Sequence, residues 1–129
     1  MIEKEFIPYE QALALKELGF DEPCFGWYAS DKSLIKDYVI KMHLRAPTFS
    51  QAFRFFREKY DWQHSIDPTA DQHSHQLGYN YWIWNYKTGE EHHTMPKNRP
   101  TGDWEYETYE EAEQACLIKL IEIVKDGNK

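Results

Sequence analysis

Apolar residues recur along this chain with two periods, every third or fourth position in three segments and every second position in others. Phe49, Ala52, Phe53, Phe56 and Tyr60 follow the i, i+3, i+4, i+7 spacing of a helix that buries one stripe. Pro47 and Thr48 or Ser50 supply its start signals, while Arg54, Arg57, Glu58 and Lys59 fall away from the stripe. Phe55 falls off it too and calls for a packing partner elsewhere. A first helix is predicted from Pro8 through Leu18, with Tyr9, Ala12 and Leu13 on one face, Leu15 and Leu18 widening it, and Gly19 where helices commonly stop. A last helix begins after Thr108, which with Glu111 three residues on forms a capping-box pattern. Glu110, Glu111 and Glu113 stand at the end where the helix dipole favours negative charge. Its inner face reads Ala112, Cys116, Leu120 and Ile123, flanked by Leu117, Ile121 and Val124.

Between the helices the pattern shortens to strand-like runs. Cys24 to Ala29 and Tyr38 to Met42 are rich in aromatic and β-branched residues, joined by the polar segment Ser30 to Asp37, which reads as a hairpin. Trp62 to Ile66 reads as a strand, and Asp67 to Leu77, which holds Pro68 and no apolar period, as a loop. The strongest strand is Tyr79 to Tyr86, with Trp82, Trp84 and Tyr86 on one face and Tyr79, Tyr81 and Ile83 on the other. That is the pattern of a central strand covered on both faces, or of one whose second face meets a partner. The turn Lys87 to Glu90 leads back through His92 and Thr94, Met95 to Asp103 reads as an exposed loop, and Trp104 to Tyr106 as a short strand. The whole predicts one α+β domain over residues 1–129, a mainly antiparallel sheet of about four or five strands packed by three helices.

Composition narrows the function classes. Seven Phe, five Trp and nine Tyr are more rings than a core of this size needs, so some aromatic surface is expected. The formal net charge of −7 works against polyanions, so nucleic acid would need a local basic patch. Two distant cysteines, no apolar leader and no run of about 20 apolar residues lead us to expect a reduced, cytoplasmic protein without a membrane span. The chain carries no glycine-rich phosphate loop, no Gly-x-Ser-x-Gly elbow and no paired-Cys zinc motif.

Three pieces, Leu18 to Phe25, Ala52 to Tyr60 and Tyr109 to Leu117, resemble a family of small proteins from gut anaerobic bacteria and their prophages and phages. The likeness runs from Pro8 to Lys125 apart from the His-rich loops. It implies a mobile-element setting, in which small acidic proteins often bind a host macromolecule, and it implies no catalytic residue because the family has no assigned activity.

Four sets of side chains are candidates for function. Trp82, Trp84, Tyr81 and Tyr86 form a candidate binding surface for a protein or small molecule, since Tyr and Trp combine large apolar area with a polar end. Two apolar faces on that strand also leave a homodimer open. His73, His75, His92 and His93 could hold a divalent metal, with Asp67, Asp71 and Glu91 adding carboxylates, although solvated loop histidines give the same pattern. Cys24 could act as a nucleophile only if His43 or His64 lay close enough to draw off its proton. Arg45, Arg54, Arg57 and Lys59 could form a basic face for single-stranded nucleic acid, set against the plainer reading of a solvated helix face in which Arg54 pairs with Glu58. The expectation is a binding or adaptor protein with no cofactor, ahead of a metal-dependent enzyme and of a nucleic-acid binder.

Overall fold

The structure, a computed structural model, describes residues 2–35, 44–71, 75–94 and 104–127. The predicted strand Tyr38 to Met42 and the predicted loop Met95 to Asp103 lie outside them. A 3₁₀ turn (Ile2–Glu5) precedes α1 (Tyr9–Glu17). Three short strands follow, β1 (Gly26–Tyr28), β2 (Leu34–Ile35) and β3 (Leu44–Ala46), then α2 (Phe49–Tyr60), β4 (Trp62–Asp71), β5 (Gln76–Asn85), β6 (Glu91–His93) and α3 (Tyr109–Gly127).

The α+β class and the three helices agree with the sequence pattern, but the strands divide differently. Among the described residues they form two antiparallel sheets of three strands, ordered β2-β1-β3 and β4-β5-β6, in place of one sheet of four or five. Both flanking partners of β1 were missed, because a two- or three-residue strand shows no period of its own and exists through its neighbour.

Local chemistry accounts for the helix ends. Thr48 accepts from the Gln51 amide while the Gln51 side chain accepts from the Thr48 amide, a reciprocal cap that starts α2. Asp61 ends it in the left-handed region at φ 66°. Gly19 follows α1 at φ 99°, where a glycine costs least. Thr108 Oγ1 accepts from the Glu111 amide at 3.1 Å to start α3.

The four elements α1, α2, β4 and β5 all meet α3. Its buried stripe is Ala112, Cys116, Leu117, Leu120, Ile121 and Val124, with Ile123 only half-buried. One core runs from Ile7, Leu15 and Phe20 through Phe49, Phe53 and Phe56 to Trp62 and Ile83. Phe55, off the helical stripe, is buried edge-on against Phe20 at 5.4 Å. Among the described residues no helix is long and apolar enough to cross a membrane.

The hairpin β4-β5 is longer than its sequence announces. Asp67 to Asp71 and Gln76 to Leu77, expected as loop, continue the ladder to the pair Asp71 with Gln76. Pro68 fits because of where the hydrogen bonds go. Tyr79 exchanges both its backbone bonds with Tyr106, and Tyr81 accepts from the Thr94 amide, so alternate residues of β5 point their backbone groups at the β6 edge. Pro68 is opposite Tyr79, hence at a position where β4 owes β5 no N–H, and β4 is itself an edge strand.

Candidate binding surface

The β4-β5-β6 sheet has one face covered by the core and a second that is open around Trp82. On the covered face Trp62 and Ile83 are buried, Ile66 and Tyr81 pack partly against the core, and His64 stacks on Phe53 with ring centres 3.7 Å apart. Side chains one residue out of phase emerge on the other side. The cross-strand register places Gln63, Trp84 and Glu91 in one row and Ser65, Trp82 and His93 in the next, followed by the pair Asp67 and Asn80.

Trp82 is the centre of this grid and is 44% exposed. It meets Trp84 edge-on at 6.0 Å and His93 edge-on at 6.1 Å. These geometries match the preference of π faces for ring edges, so the three rings stiffen each other while leaving indole surface open. Further along the same face Trp104 lies over Gly78 and is 1% exposed. A methyl at Gly78 would fall 1.9 Å from Trp104 Cγ, so only glycine admits this ring.

Of the four aromatic residues expected to bind together, Trp82 and Trp84 share the open face. Tyr81 does not join them, since strand alternation sends it to the covered side, stacked on Tyr106 at 6.2 Å. Burial, and then Tyr106, push its phenol up to about 12. Tyr86 lies beyond the end of β5, 60% exposed, with its hydroxyl donating to Asp61 at 3.0 Å. Phe25, 77% exposed, is a separate exposed ring beside β1.

The histidines are not gathered into one site by the described residues. His92 and His93 are neighbours on a strand and therefore face opposite ways, the first towards Trp62, the second towards Trp82. His75, at the turn before β5, is separated from the His93 pairing position by β5 from Gln76 to Trp82, about 20 Å at the usual rise per strand residue. His73 and the side chain of Asp71 lie outside the described residues. Among the described residues no three His, Cys, Asp or Glu side chains form a group that could hold a metal ion.

His92 has a different setting that the sequence did not reveal. Its Nε2 lies 2.6 Å from a Glu90 carboxylate oxygen, in an open groove of about 490 Å³ between β6 and the last turns of α3. Trp62, Tyr60 and Ile123 supply its apolar lining and Lys119, Glu122 and Asp126 its charge. The i, i+2 spacing of Glu90 and His92 was the available signal, but the groove itself depends on how α3 crosses the sheet.

The cysteine and arginine proposals meet specific obstacles. Burial pushes the Cys24 thiol up to about 11, Arg45 opposing and Glu22 adding to the rise, and Sγ donates to the Glu22 carbonyl at 3.3 Å. That holds the proton on sulfur, the opposite of an activated thiolate. Burial likewise pushes the Cys116 thiol up. His43 lies outside the described residues. Burial first and Arg57 second lower His64 to about 4, which leaves it neutral against Phe53. Arg54 pairs with Glu22 at 2.7 Å, a partner 32 residues away, with Glu58 as a weaker neighbour. Lys59 donates to the Leu18 carbonyl at 2.9 Å and lies over Phe55 and Tyr60. Two of the four cations of the proposed basic face thus have structural employment.

Comparison with known proteins adds no relative: no family model, no curated protein and no solved structure matches the chain.

Proposed function

We propose that this chain is a small binding module or adaptor that engages its partner through the open face of the β4-β5-β6 sheet, with Trp82 and Trp84 as anchors. One observation carries the reading: Trp82, the largest kind of side chain, stands 44% exposed at the centre of a sheet face and is held in orientation by Trp84 and His93. Tryptophans at the centre of a contact are the residues that most often dominate binding energy. Leaving Trp82 this open, beside a half-buried Trp84, gives the fold little in return.

The setting we infer is cytoplasmic and linked to a mobile element, on the strength of two free thiols and of the resemblance of Leu18 to Phe25, Ala52 to Tyr60 and Tyr109 to Leu117. The partner is a protein or a small molecule.

The test separates surface from core. Trp82→Ser and its companion Trp82→Gln should unfold in urea within about 2 kcal/mol of the parent, the scale of the two edge-on ring contacts they remove. The same variants should no longer retain whatever the parent protein carries when it is purified from its own host and weighed by native mass spectrometry. A loss of about 3 kcal/mol or more, the scale of a buried Trp truncation, would mean that the rings belong to the core and that the reading is wrong.

A further inference from the structure

We propose that the open face docks a cationic, extended segment of a partner protein, with an arginine side chain lying over Trp82 between Glu91 and Asp67; this rests on the binding-module reading above and names its partner. The first argument is the sign of the charge. Among the described residues the face presents Gln63, Ser65 and Asp67 from β4, Trp82, Trp84 and Asn80 from β5, and Glu91 and His93 from β6, with carboxylates and no Lys or Arg. Asp67 and Glu91 are exposed, and the chain as a whole carries −7. Lys87, just past the end of β5, is neutralised by Asp61 at 3.3 Å.

The second argument is where this protein keeps its cations. Lys32 lies over Tyr9 at 5.2 Å, Lys59 over Phe55 and Tyr60 at 5.4 Å each, and Lys87 over Tyr86 at 5.9 Å. Tryptophan is the strongest cation acceptor among the rings, yet no described cation lies over Trp82 or Trp84. Among the described residues, the ring faces best suited to a cation carry none.

Other occupants fit less well. Single-stranded nucleic acid stacks on aromatic faces but needs a cationic groove for its phosphates, and here carboxylates stand in that place. An apolar partner would bury Asp67 and Glu91 without compensation. A guanidinium satisfies both demands, because its plane stacks on indole while its edge donates to carboxylates. Trp82 and Trp84 are two residues apart on one strand, about 7 Å, which is the interval between alternate side chains of an extended partner. Basic residues at every second position therefore match the row.

The experiment titrates ¹⁵N-labelled protein with a nonapeptide alternating Arg and Ser, and with its Gln and Ser counterpart. The five tryptophans give separate indole N–H signals, and Trp82→Phe assigns the central one. We expect the Trp82 and Trp84 signals to move with the Arg peptide, and the Gln peptide to bind at least about tenfold more weakly. Trp82→Ala should weaken the Arg peptide about tenfold and Glu91→Gln or Asp67→Asn about threefold, because one close charge contact is removed. Glu110→Gln, a charge change on exposed α3 surface, should leave it unaltered. Equal sensitivity to Glu110→Gln, with none to Trp82→Ala, would mean diffuse attraction to an acidic protein and would overturn the proposal. Equal binding of the Gln peptide at Trp82, tighter binding of a thymidine oligomer, or a dimer in sedimentation that covers the rings would also overturn it, while leaving the face a contact surface. If Trp82→Ala fails to fold, the binding-module reading falls with it, and the two carboxylate variants still test the cation on an intact sheet.

Discussion

Placing a methyl group on Gly78 would put a carbon 1.9 Å from Cγ of Trp104 and 2.1 Å from Cδ2 of the same ring. Ordinary carbon contacts begin near 3.5 to 4.0 Å, so the ring must retreat by roughly 2 Å or leave its seat. Trp104 is 1% exposed, so a retreat of that size separates a buried indole from most of its neighbours. Overpacking that a core absorbs costs about 1 to 3 kcal/mol, and full loss of a buried Trp about 3 to 5. Against this, alanine orders the unfolded chain and returns about 0.4 to 1 kcal/mol, since Gly78 does not require a positive φ. The net expectation for Gly78→Ala is a loss of about 2 to 3 kcal/mol.

Urea unfolding should therefore show a lower midpoint with the same slope, the mark of a stability change without a change in exposed surface. The control is the cycle through Trp104. With Trp104→Ala in place the clash is gone, and Gly78→Ala should then be neutral or stabilising by up to about 1 kcal/mol, a coupling of about 2 to 4 kcal/mol between two contacting residues. A Gly78→Ala variant within about 0.5 kcal/mol of the parent, or an equal cost in both backgrounds, would refute the seating of Trp104 on this strand.

Asn85, 7% exposed, donates to the Tyr60 carbonyl at 3.1 Å and accepts from the Lys87 and Thr88 amides, so Asn85→Ala should cost about 2 to 4 kcal/mol in the same assay by orphaning three backbone groups. Cys24, with its thiol raised from 9.0 to about 11, should react with iodoacetamide at pH 8 roughly a hundredfold more slowly than a free thiol. His64 and Glu113 should give stability opposite pH slopes between about pH 4.5 and 6.5. Burial lowers His64 from 6.5 to about 4, so the folded state binds fewer protons and its contribution, at most about 3 kcal/mol, is present above 6.5 and lost as pH falls. Burial, with Glu5 and Glu110, raises Glu113 from 4.5 to about 7, so its contribution is present below 4.5 and lost as pH rises, about 1 kcal/mol after allowing for its partial exposure. Melting temperatures across that range should therefore climb more steeply with pH in Glu113→Gln and flatten or reverse in His64→Phe.

The second and third helices were legible because each carries a full period and its own start signal, whereas α1 was bounded by Pro8 and Gly19 but buries Ala12, Ala14 and Leu15 instead of the expected face of Tyr9, Ala12 and Leu13. Phe49 to Tyr60 repeats its stripe over three turns, and Thr48 and Thr108 announce the starts by side chains that bond within three residues. What was not legible depends on partners distant in the chain. Leu34 and Ile35 become a strand only because Trp27 and Tyr28 lie beside them. Asp67 to Asp71 alternate nothing apolar and are extended because β5 pairs with them. Arg54 passes its sequence neighbour Glu58 for Glu22, which the packing of the chain before β1 against α2 brings within 2.7 Å. For the candidate surface, alternation along β5 correctly put Trp82 and Trp84 together and Tyr81 opposite. Which of those two faces the helices would cover was not readable, since both are aromatic.

That ambiguity has a physical resolution in the residues opposite each face. On the covered side the cross-strand neighbours of β5 are Trp62, His64 and Ile66, which can pack against Phe53 and α3. On the open side they are Gln63, Ser65 and Asp67, and β6 adds Glu91 and His93. A helix laid on the open side would have to desolvate those two carboxylates, at several kcal/mol each without a counter-charge. The same cost that keeps the protein's own helices off Trp82 and Trp84 selects what can cover them from outside. On the proposed binding reading, a partner has to bring its own positive charge, which would tie the choice of face in folding to the choice of ligand in binding. The prediction that distinguishes this from simple aromatic stickiness is joint: Asp67→Asn with Glu91→Gln should weaken the arginine peptide about tenfold while leaving the urea midpoint in place, because neither carboxylate is asked to stabilise the fold.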